Sequence, residues 1–240
     1  MRSMTIGKKK IAVPERWDDV TLGMYLDAAA AMKQYHVLPR RAVGASIAAL
    51  CGFDESRIMA LQIEQVEELT QALQFYFETS PEPVFVGEFT IDGTVFKVPT
   101  TITSATFGEF IDMDTEIMNH KDDLKAAVPG ILAVYCRPDG EPYAMATQDA
   151  MEARQRQRQD MMRKLPMPTA EGLAAFFLTS ATASLPITTQ FGRVRVLLIY
   201  KVQQLVNSQS STGGWQRLCR WPRRMCLKWI RSQLNRSMNL

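Results

Sequence analysis

The side chains that could act as catalysts or metal ligands are few and widely spaced. The 240-residue chain has two histidines, His36 and His120, and neither belongs to a recognisable metal-binding pattern. This placement is typical of surface histidines. The sequence also lacks a glycine-rich phosphate loop, a nucleophile elbow and an HExxH motif. It therefore predicts no enzyme, with no catalytic residue, no metal ligand and no cofactor.

Acidic residues offer further candidates for chemistry. The adjacent pairs Asp18-Asp19 and Asp122-Asp123 would point in different directions on a helix, which is typical of solvated charge rather than of an acid–base pair. Asp27 and Asp112 occupy equivalent positions near two predicted helix starts. They are interpreted either as functional carboxylates or, as is more common, as acids that are solvated or hydrogen-bonded locally at the start of a helix.

The cysteines predict neither a disulfide framework nor a redox motif. Cys51, Cys136, Cys219 and Cys226 form no CxxC pair, and the first two follow alanine-rich apolar runs. This pattern favours buried free thiols in a reducing compartment. No membrane span is predicted, because the best candidate, residues 173–185, is short and interrupted by hydroxyl side chains.

Charge is distributed unevenly along the chain. The formal net charge is +3, but residues 1–160 carry 24 acids and 16 bases, whereas residues 161–240 carry one acid and 12 bases. Arginine combined with tryptophan suits nucleic acid or an anionic membrane interface. A protein partner, a solvated tail and a tail docked on the acidic part of the chain remain alternatives. The predicted basic tail contains Trp215, Arg217, Arg220, Trp221, Arg223, Arg224, Lys228, Trp229 and Arg231.

An internal repeat predicts how the chain is built. Residues 11–54 align with residues 96–139 without a gap, and every position is displaced by 85 residues. The alignment predicts two copies of an extended segment, a Thr-capped helix and a second helix, with Cys51 and Cys136 both buried. The ten identical positions are, in the first copy, Val13, Pro14, Thr21, Gly23, Asp27, Ala42, Val43, Ala48, Cys51 and Asp54.

Each copy contains the same signal for the start of a helix. A Val-Pro pair is extended, and Thr21 or Thr106 follows as a helix N-cap. Glu109 completes a capping box in the second copy, whereas Met24 at the same position in the first copy is expected to omit the reciprocal bond. A glycine in the first turn of each helix would allow close approach of another backbone.

Periodicity predicts a mainly α protein with a small β-hairpin, in the α+β class. Asp92-Gly93 predicts a two-residue type I′ hairpin between strands 84–91 and 94–98. Residues 11–13 are expected to join it as a third strand, after a frayed start over residues 1–10. Helices are predicted over about residues 22–34, 40–50, 55–61, 62–78, 107–119, 124–135, 147–165, 170–184 and 190–207.

These elements predict one helical domain over residues 11–207, followed by a linker and basic tail over residues 208–240. The domain is divided into a first unit over residues 11–80, the hairpin over residues 84–98 and a second unit over residues 96–185.

The chain resembles a family of tailed-bacteriophage proteins described as tail assembly chaperone-like. The resemblance covers about residues 11–185. It rests on Val13-Pro14, Trp17-Asp18-Asp19-Val20-Thr21-Leu22-Gly23-Met24-Tyr25, Phe89, Gly93, Phe96, Thr106-Phe107-Gly108-Glu109-Phe110-Ile111-Asp112, Ile131-Leu132-Ala133-Val134-Tyr135-Cys136-Arg137-Pro138 and residues 173–178. It implies a non-enzymatic role in virion assembly through binding of a phage structural protein such as the tape measure. The implied location is the host cytoplasm, with retention in the virion left open.

The predicted partner surface combines the helices that start at Thr21 and Thr106 with the apolar helix around residue 176. Two similar grooves suit capture of an amphipathic or extended partner. The alternative function is a nucleic-acid-binding or packaging accessory protein that acts through the basic tail. The predicted partner contacts are Tyr25, Phe110, Phe176 and Phe177.

Overall fold

The structure, a computed structural model, describes residues 1–6, 9–102, 105–143 and 147–184. It is mainly helical with small antiparallel sheets, which confirms the predicted α+β class. The strands are β1 (Arg2–Ile6), β2 (Lys9–Val13), β3 (Glu88–Ile91), β4 (Thr94–Lys97) and β5 (Arg137–Pro138). The helices are α1 (Leu22–Gln34), α2 (Pro39–Leu50), α3 (Glu55–Met59), α4 (Ile63–Ala72), α5 (Gln74–Glu78), α6 (Phe107–Asn119), α7 (Leu124–Tyr135), α8 (Gln148–Met162) and α9 (Met167–Ser184).

The two predicted units have matching secondary structure. Helices α1 and α6 each have 13 residues, α2 and α7 each have 12, and all four boundaries keep the 85-residue displacement. Helix α1 packs against α2, and α6 packs against α7. The repeat is therefore confirmed at the level of helix order and length, while superposition of the two units stays a prediction.

Threonine side chains begin the first helix of each unit, as predicted. Thr21 Oγ1 accepts from the Met24 N–H at 3.2 Å, and Thr106 Oγ1 accepts from the Glu109 N–H at 3.3 Å. Glu109 Oε2 accepts in return from the Thr106 N–H at 2.5 Å. In the first unit the Thr21 N–H approaches Met24 Sδ at 3.5 Å, so a weak sulfur contact takes the place of the reciprocal bond.

The central hairpin forms around the predicted turn. Asp92 and Gly93 have φ values of 49° and 79°, as a type I′ turn requires. The paired strands, β3 and β4, are shorter than predicted, and β5 pairs with β4 as the third strand. The predicted helix over residues 190–207 and the basic tail over residues 208–240 lie outside the described residues.

The prediction that residues 11–13 would join this hairpin is wrong. Strand β2 pairs with β1, which is formed by residues expected to be frayed. Met4 lies opposite Ile11 in this pair, and both side chains are buried. Because the connection between β1 and β2 is short, closing it costs little conformational entropy. The buried side chains of Met4 and Ile11 also attach the pair to the core.

The helices predicted over residues 55–61 and 147–165 end earlier than expected, at Met59 and Met162. Two further helices also differ from the prediction. The helix expected over residues 62–78 is divided at Leu73, whose side chain is fully buried between α4 and α5. Helix α9 begins at Met167, before the expected cap at Thr169. Pro168 fits a first helical turn because the N–H that proline lacks has no intrahelical acceptor there.

Helix α7 is the centre of the fold. It contacts α1, α6, α8 and α9, and every side chain from Ala127 to Tyr135 is buried. Helix α2, its counterpart, packs against α1, α3 and α4; its first three residues are exposed, and the rest are buried or half-buried. Helix α7 is therefore packed by both units and by the later helices α8 and α9.

Candidate partner-binding surface

Residues 163–167, which connect α8 to α9, cover the start of α1. The Leu22 N–H donates to the Leu165 carbonyl at 2.8 Å, and the Met167 N–H donates to the Val20 carbonyl at 2.8 Å. The first bond satisfies an amide that has no acceptor within its own helix. Both leucine side chains are almost completely buried. The start of α1 therefore receives a turn of the chain, between α8 and α9, through backbone hydrogen bonds and buried apolar side chains.

Gly23 and Asp27 hold the beginning of the same segment. The Gly23 N–H donates to the Arg163 carbonyl at 2.7 Å, and a Cβ at Gly23 would lie 3.0 Å from that oxygen. Asp27 Oδ1 accepts from Arg163 Nη2 at 2.7 Å. The expected close backbone approach at this glycine is confirmed. We call Val20, Leu22, Gly23 and Asp27 the α1 seat.

The equivalent residues of α6, Ala105, Phe107, Gly108 and Asp112, form the α6 seat, which is only partly filled. Asp112 Oδ2 accepts from the Tyr143 hydroxyl at 2.7 Å. A Cβ at Gly108 would lie 2.7 Å from the Tyr143 ring. Burial, followed by the hydrogen bond to Asp112, raises the pKa of Tyr143. Tyr143 thus takes the position that Arg163 has in the α1 seat.

The other half of the α6 seat is open. Phe107 is 71% exposed, whereas its counterpart Leu22 is 1% exposed. The N–H groups of Phe107 and Gly108 have no acceptor among the described residues. Ile111 and Met118, each 49% exposed, continue the apolar surface along the same face of α6. We call Phe107, Ile111 and Met118 the α6 stripe.

The predicted contact Tyr25 lies in a polar and aromatic cluster. Its hydroxyl accepts from Lys125 Nζ at 2.8 Å, and Lys125 also donates to Glu171 Oε1 at 3.1 Å. Burial lowers the pKa of Lys125, but Glu171 and Tyr25 raise it more, so that it lies above its ordinary value. Tyr25 therefore links α1 to α7 and α9. Phe110, its counterpart, is half-buried against the core.

The two predicted phenylalanines of α9 have different surroundings. Phe177 is fully buried and stacks on Tyr135 with 4.8 Å between ring centroids. Phe176 is half-buried, and its ring lies 4.9 Å from that of Phe85, whose side chain is exposed. Phe177 therefore belongs to the core, while Tyr25, Phe110 and Phe176 retain exposed surface, and their contact with a partner stays a prediction.

The sequence interpretation did not identify the α6 stripe. A signal for it exists, because α6 has apolar residues on more than one face. Phe110, Met113 and Ile117 face the core, and the stripe lies on a different side. The repeat alignment alone would assign Phe107 the buried environment of Leu22, and only the packing of later segments distinguishes the two positions.

A buried polar cluster lies beside the α6 seat. Arg137 Nη2 contacts Glu109 Oε1 at 2.5 Å, while Arg154 and Arg158 contact Glu141 Oε1 at 3.0 and 3.1 Å. Burial lowers the pKa of Arg158. Because the arginines face carboxylates, the cluster joins β5 and α8 to α6 rather than presenting free charge to a ligand.

The described cysteines and histidines, which are the candidate reactive groups, lie in surroundings typical of structural residues. Cys136 is buried as predicted, but Cys51, the residue that follows α2, is only half-buried. Burial raises the pKa of Cys51 to about 12 and that of Cys136 as well, so both thiols are protonated at neutral pH. His36 is exposed, and His120 Nδ1 lies 3.0 Å from the Glu116 carbonyl oxygen.

Within the described ranges, no three His, Cys, Asp or Glu side chains are grouped so that they could hold a metal ion. No helix in the same part of the chain has the length and apolar character needed to cross a membrane. The residues predicted to form the basic tail lie outside this part; they are Trp215, Arg217, Arg220, Trp221, Arg223, Arg224, Lys228, Trp229 and Arg231. Comparison with protein-family models, curated proteins and solved structures finds no match to this chain.

Proposed function

We propose that the chain is a non-enzymatic assembly protein of a tailed bacteriophage that binds another virion protein, as a tail assembly chaperone does. The α6 stripe carries this proposal, because it places three large apolar side chains on one exposed helix face. The equivalent start of α1 receives the turn between α8 and α9 of the same chain. That contact supports the use of the corresponding surface of α6 for a segment of another protein.

The phage context depends on the resemblance of residues 11–185 to tail assembly chaperone-like proteins. The implied partner is the tape measure, a long chain that would need its apolar segments covered before the tail polymerises. Such a protein would act in the host cytoplasm. Neither an active site nor a cofactor is part of this proposal.

Co-purification with matched variants tests the proposal. The tagged full-length chain, Ile111→Glu and Ile63→Glu would be expressed in phage-producing cells, and captured virion proteins would be quantified by mass spectrometry. Ile63 is a suitable control because it is 68% exposed at the first residue of α4, where glutamate favours the helix start.

The wild type and Ile63→Glu are expected to capture a virion protein, and Ile111→Glu is expected to capture about tenfold less of it. The reason is that a charge placed in an apolar contact costs at least about 1.4 kcal/mol. Equal capture by both variants would exclude the α6 stripe as the contact. Recovery of no virion protein by the wild type would contradict the proposed function itself.

A second candidate function is nucleic-acid binding, favoured by the ten basic and zero acidic residues of residues 185–240. Binding of the full-length chain to an oligonucleotide, measured by fluorescence anisotropy, should then weaken steeply as salt increases. Replacing Arg223 and Arg224 with serine should reduce the salt slope by about 2 if both contact phosphates. Binding that does not depend on salt would contradict this alternative.

A further inference from the structure

The loop between α1 and α2 presents an exposed apolar tip. Val37 is 71% exposed and Leu38 is 51% exposed, and every residue from 36 to 41 is exposed. At the equivalent positions of the second unit, residues 122–123, the loop between α6 and α7 has two aspartates. Loops that only face solvent are ordinarily polar, so the apolar loop of the first unit is the exception. We call Val37, Leu38 and Pro39 the α1–α2 tip.

Polar contacts hold the α1–α2 tip in place. Glu55 of α3 accepts from the Tyr35 hydroxyl at 3.0 Å and from Arg41 Nε at 2.9 Å. The Arg41 guanidinium also lies 4.3 Å from the centre of the Tyr35 ring. Within the loop, the Leu38 N–H donates to the Tyr35 carbonyl at 2.8 Å. Because these contacts fix the residues on both sides of the tip, the tip loses little conformational entropy when it binds a surface.

The two units differ in a reciprocal way. The first unit has an apolar loop, and the start of its first helix, at Leu22, is covered by the turn between α8 and α9. The second unit has a charged loop, and its first helix exposes the α6 stripe. The tip and the stripe are both exposed in the same folded chain, so they do not cover each other within one copy. Contact between two such different surfaces joins one copy of a chain to another.

Charge favours contact between the tip and the stripe. Helix α6 contains four acidic residues and no basic one, whereas residues 28–53, which include the tip, contain three basic residues and no acidic one. Arg40 directly follows the tip, is exposed and has no ion pair among the described residues. Asp114 lies one helical turn from both Ile111 and Met118, and its buried Oδ1 has no hydrogen-bond partner in the same part of the chain. Pairing of two α6 stripes would instead bring acidic side chains together.

We propose that the α1–α2 tip of one copy docks on the α6 stripe of a second copy. The apolar side chains of the tip pack on the stripe, and Arg40 faces the carboxylates of α6. Because the two surfaces differ, a pair of copies keeps one free tip and one free stripe unless a second contact closes the assembly. This inference goes beyond the proposed function and does not depend on it. A virion protein that binds the stripe would displace the second copy.

Sedimentation velocity of the purified full-length chain over a range of concentrations tests the inference. The wild type and the control Ile63→Glu, changed at an exposed residue outside both surfaces, should self-associate as the concentration rises. Val37→Glu alters the tip and Ile111→Glu alters the stripe. Each should weaken association at least about tenfold, because a charge would enter an apolar contact. Mixed in equal amounts, the two variants should form a dimer, because Val37→Glu retains the stripe and Ile111→Glu retains the tip.

Three results would overturn the inference: a wild type that stays monomeric at every concentration, a Val37→Glu variant that associates as the wild type does, and a mixture that stays as small as the separate variants. If a glutamate variant loses its helical circular dichroism, serine replaces glutamate at that position. Val37→Glu retains the α6 stripe and should still capture a virion protein if the proposed function is right, so the two proposals can fail separately.

Discussion

The α1 seat and the α6 seat start from nearly the same local sequence and have opposite surfaces. Both helices begin at a threonine cap and carry glycine and aspartate at the same positions. Leu22 is nevertheless covered by residues 163–167, while Phe107 is exposed. The difference teaches that the helix start is encoded within a few residues, whereas the use of its surface is decided by which distant segment reaches it.

The second helices differ in the reverse direction. Helix α7 is packed by α1, α6, α8 and α9, whereas α2 has three exposed residues at its start and is followed by the half-buried Cys51. The second unit thus provides both the central helix of the core and the most exposed apolar helix face described above. The two units share helix order and length, but different segments of the chain pack on them.

Truncation of the first helical residue in each unit gives the largest expected contrast. Leu22→Ala should lower the free energy of unfolding by about 2–5 kcal/mol, because Leu22 is fully buried. Phe107→Ala should lower it by less than about 1 kcal/mol, because most of this side chain is exposed. Urea unfolding measures both. Equal losses would mean that the α6 seat is covered as completely as the α1 seat.

Substitution of the first-turn glycines sharpens the comparison further. Gly23→Ala should destabilise the fold by about 1–2 kcal/mol, because its Cβ would press on the Arg163 backbone carbonyl. Gly108→Ala should change stability by less than about 0.5 kcal/mol, because its Cβ meets only the end of the Tyr143 side chain, which can move. Thermal and urea unfolding would detect the difference, and the opposite ranking would show that Tyr143 is the more rigid neighbour.

Removal of the two caps should instead give equal effects. Thr21→Ala and Thr106→Ala should each cost about 1 kcal/mol, because each loses the side-chain oxygen that accepts from a first-turn N–H. Serine at either position retains that oxygen and serves as the control. If only one of the two alanine variants lowers the free energy of unfolding, the threonine cap stabilises only that unit.

Asp114 provides the smallest contrast, which should depend on pH. It corresponds to Ala29 of the first unit, and its buried Oδ1 has no hydrogen-bond partner among the described residues. Burial raises the pKa of Asp114 above its unfolded value, so the charged form weakens the fold at neutral pH. Asp114→Asn should therefore increase the free energy of unfolding by up to about 1 kcal/mol near pH 7.

This gain should disappear as the pH falls through the folded pKa and then below the unfolded pKa, because Asp114 is neutral in both states there. Urea unfolding of the wild type and the variant at neutral and acidic pH measures the change. A gain that is independent of pH would assign the effect to packing rather than to the buried charge.

Local signals could be read from the sequence because their partners lie a few residues away. The cap at Thr106 is satisfied by Glu109, and the turn at Asp92-Gly93 needs only the positive φ values that those residues tolerate. The boundaries of α1 and α6 follow from such signals. Because the repeat keeps one register, the helix boundaries of the first unit predict those of the second without any information on how the units pack.

Contacts between distant residues could not be read in this way. The pairing of β1 with β2 depends on Met4 and Ile11 sharing a place in the core, and the bond from Met167 to Val20 joins the start of α9 to the start of α1. Tyr25 and Phe110, the repeat-equivalent aromatic residues predicted to contact a partner, are partly buried against the core of the chain itself.

The sequence by itself determined two Thr-capped helical hairpins in one register, because capping and turn bonds are local. Only the tertiary structure decided that Leu22 is buried and Phe107 exposed. The reason is physical: burial of an apolar side chain depends on a second surface, and that surface is supplied from residues 163–167 at α1 but not within the described residues at α6.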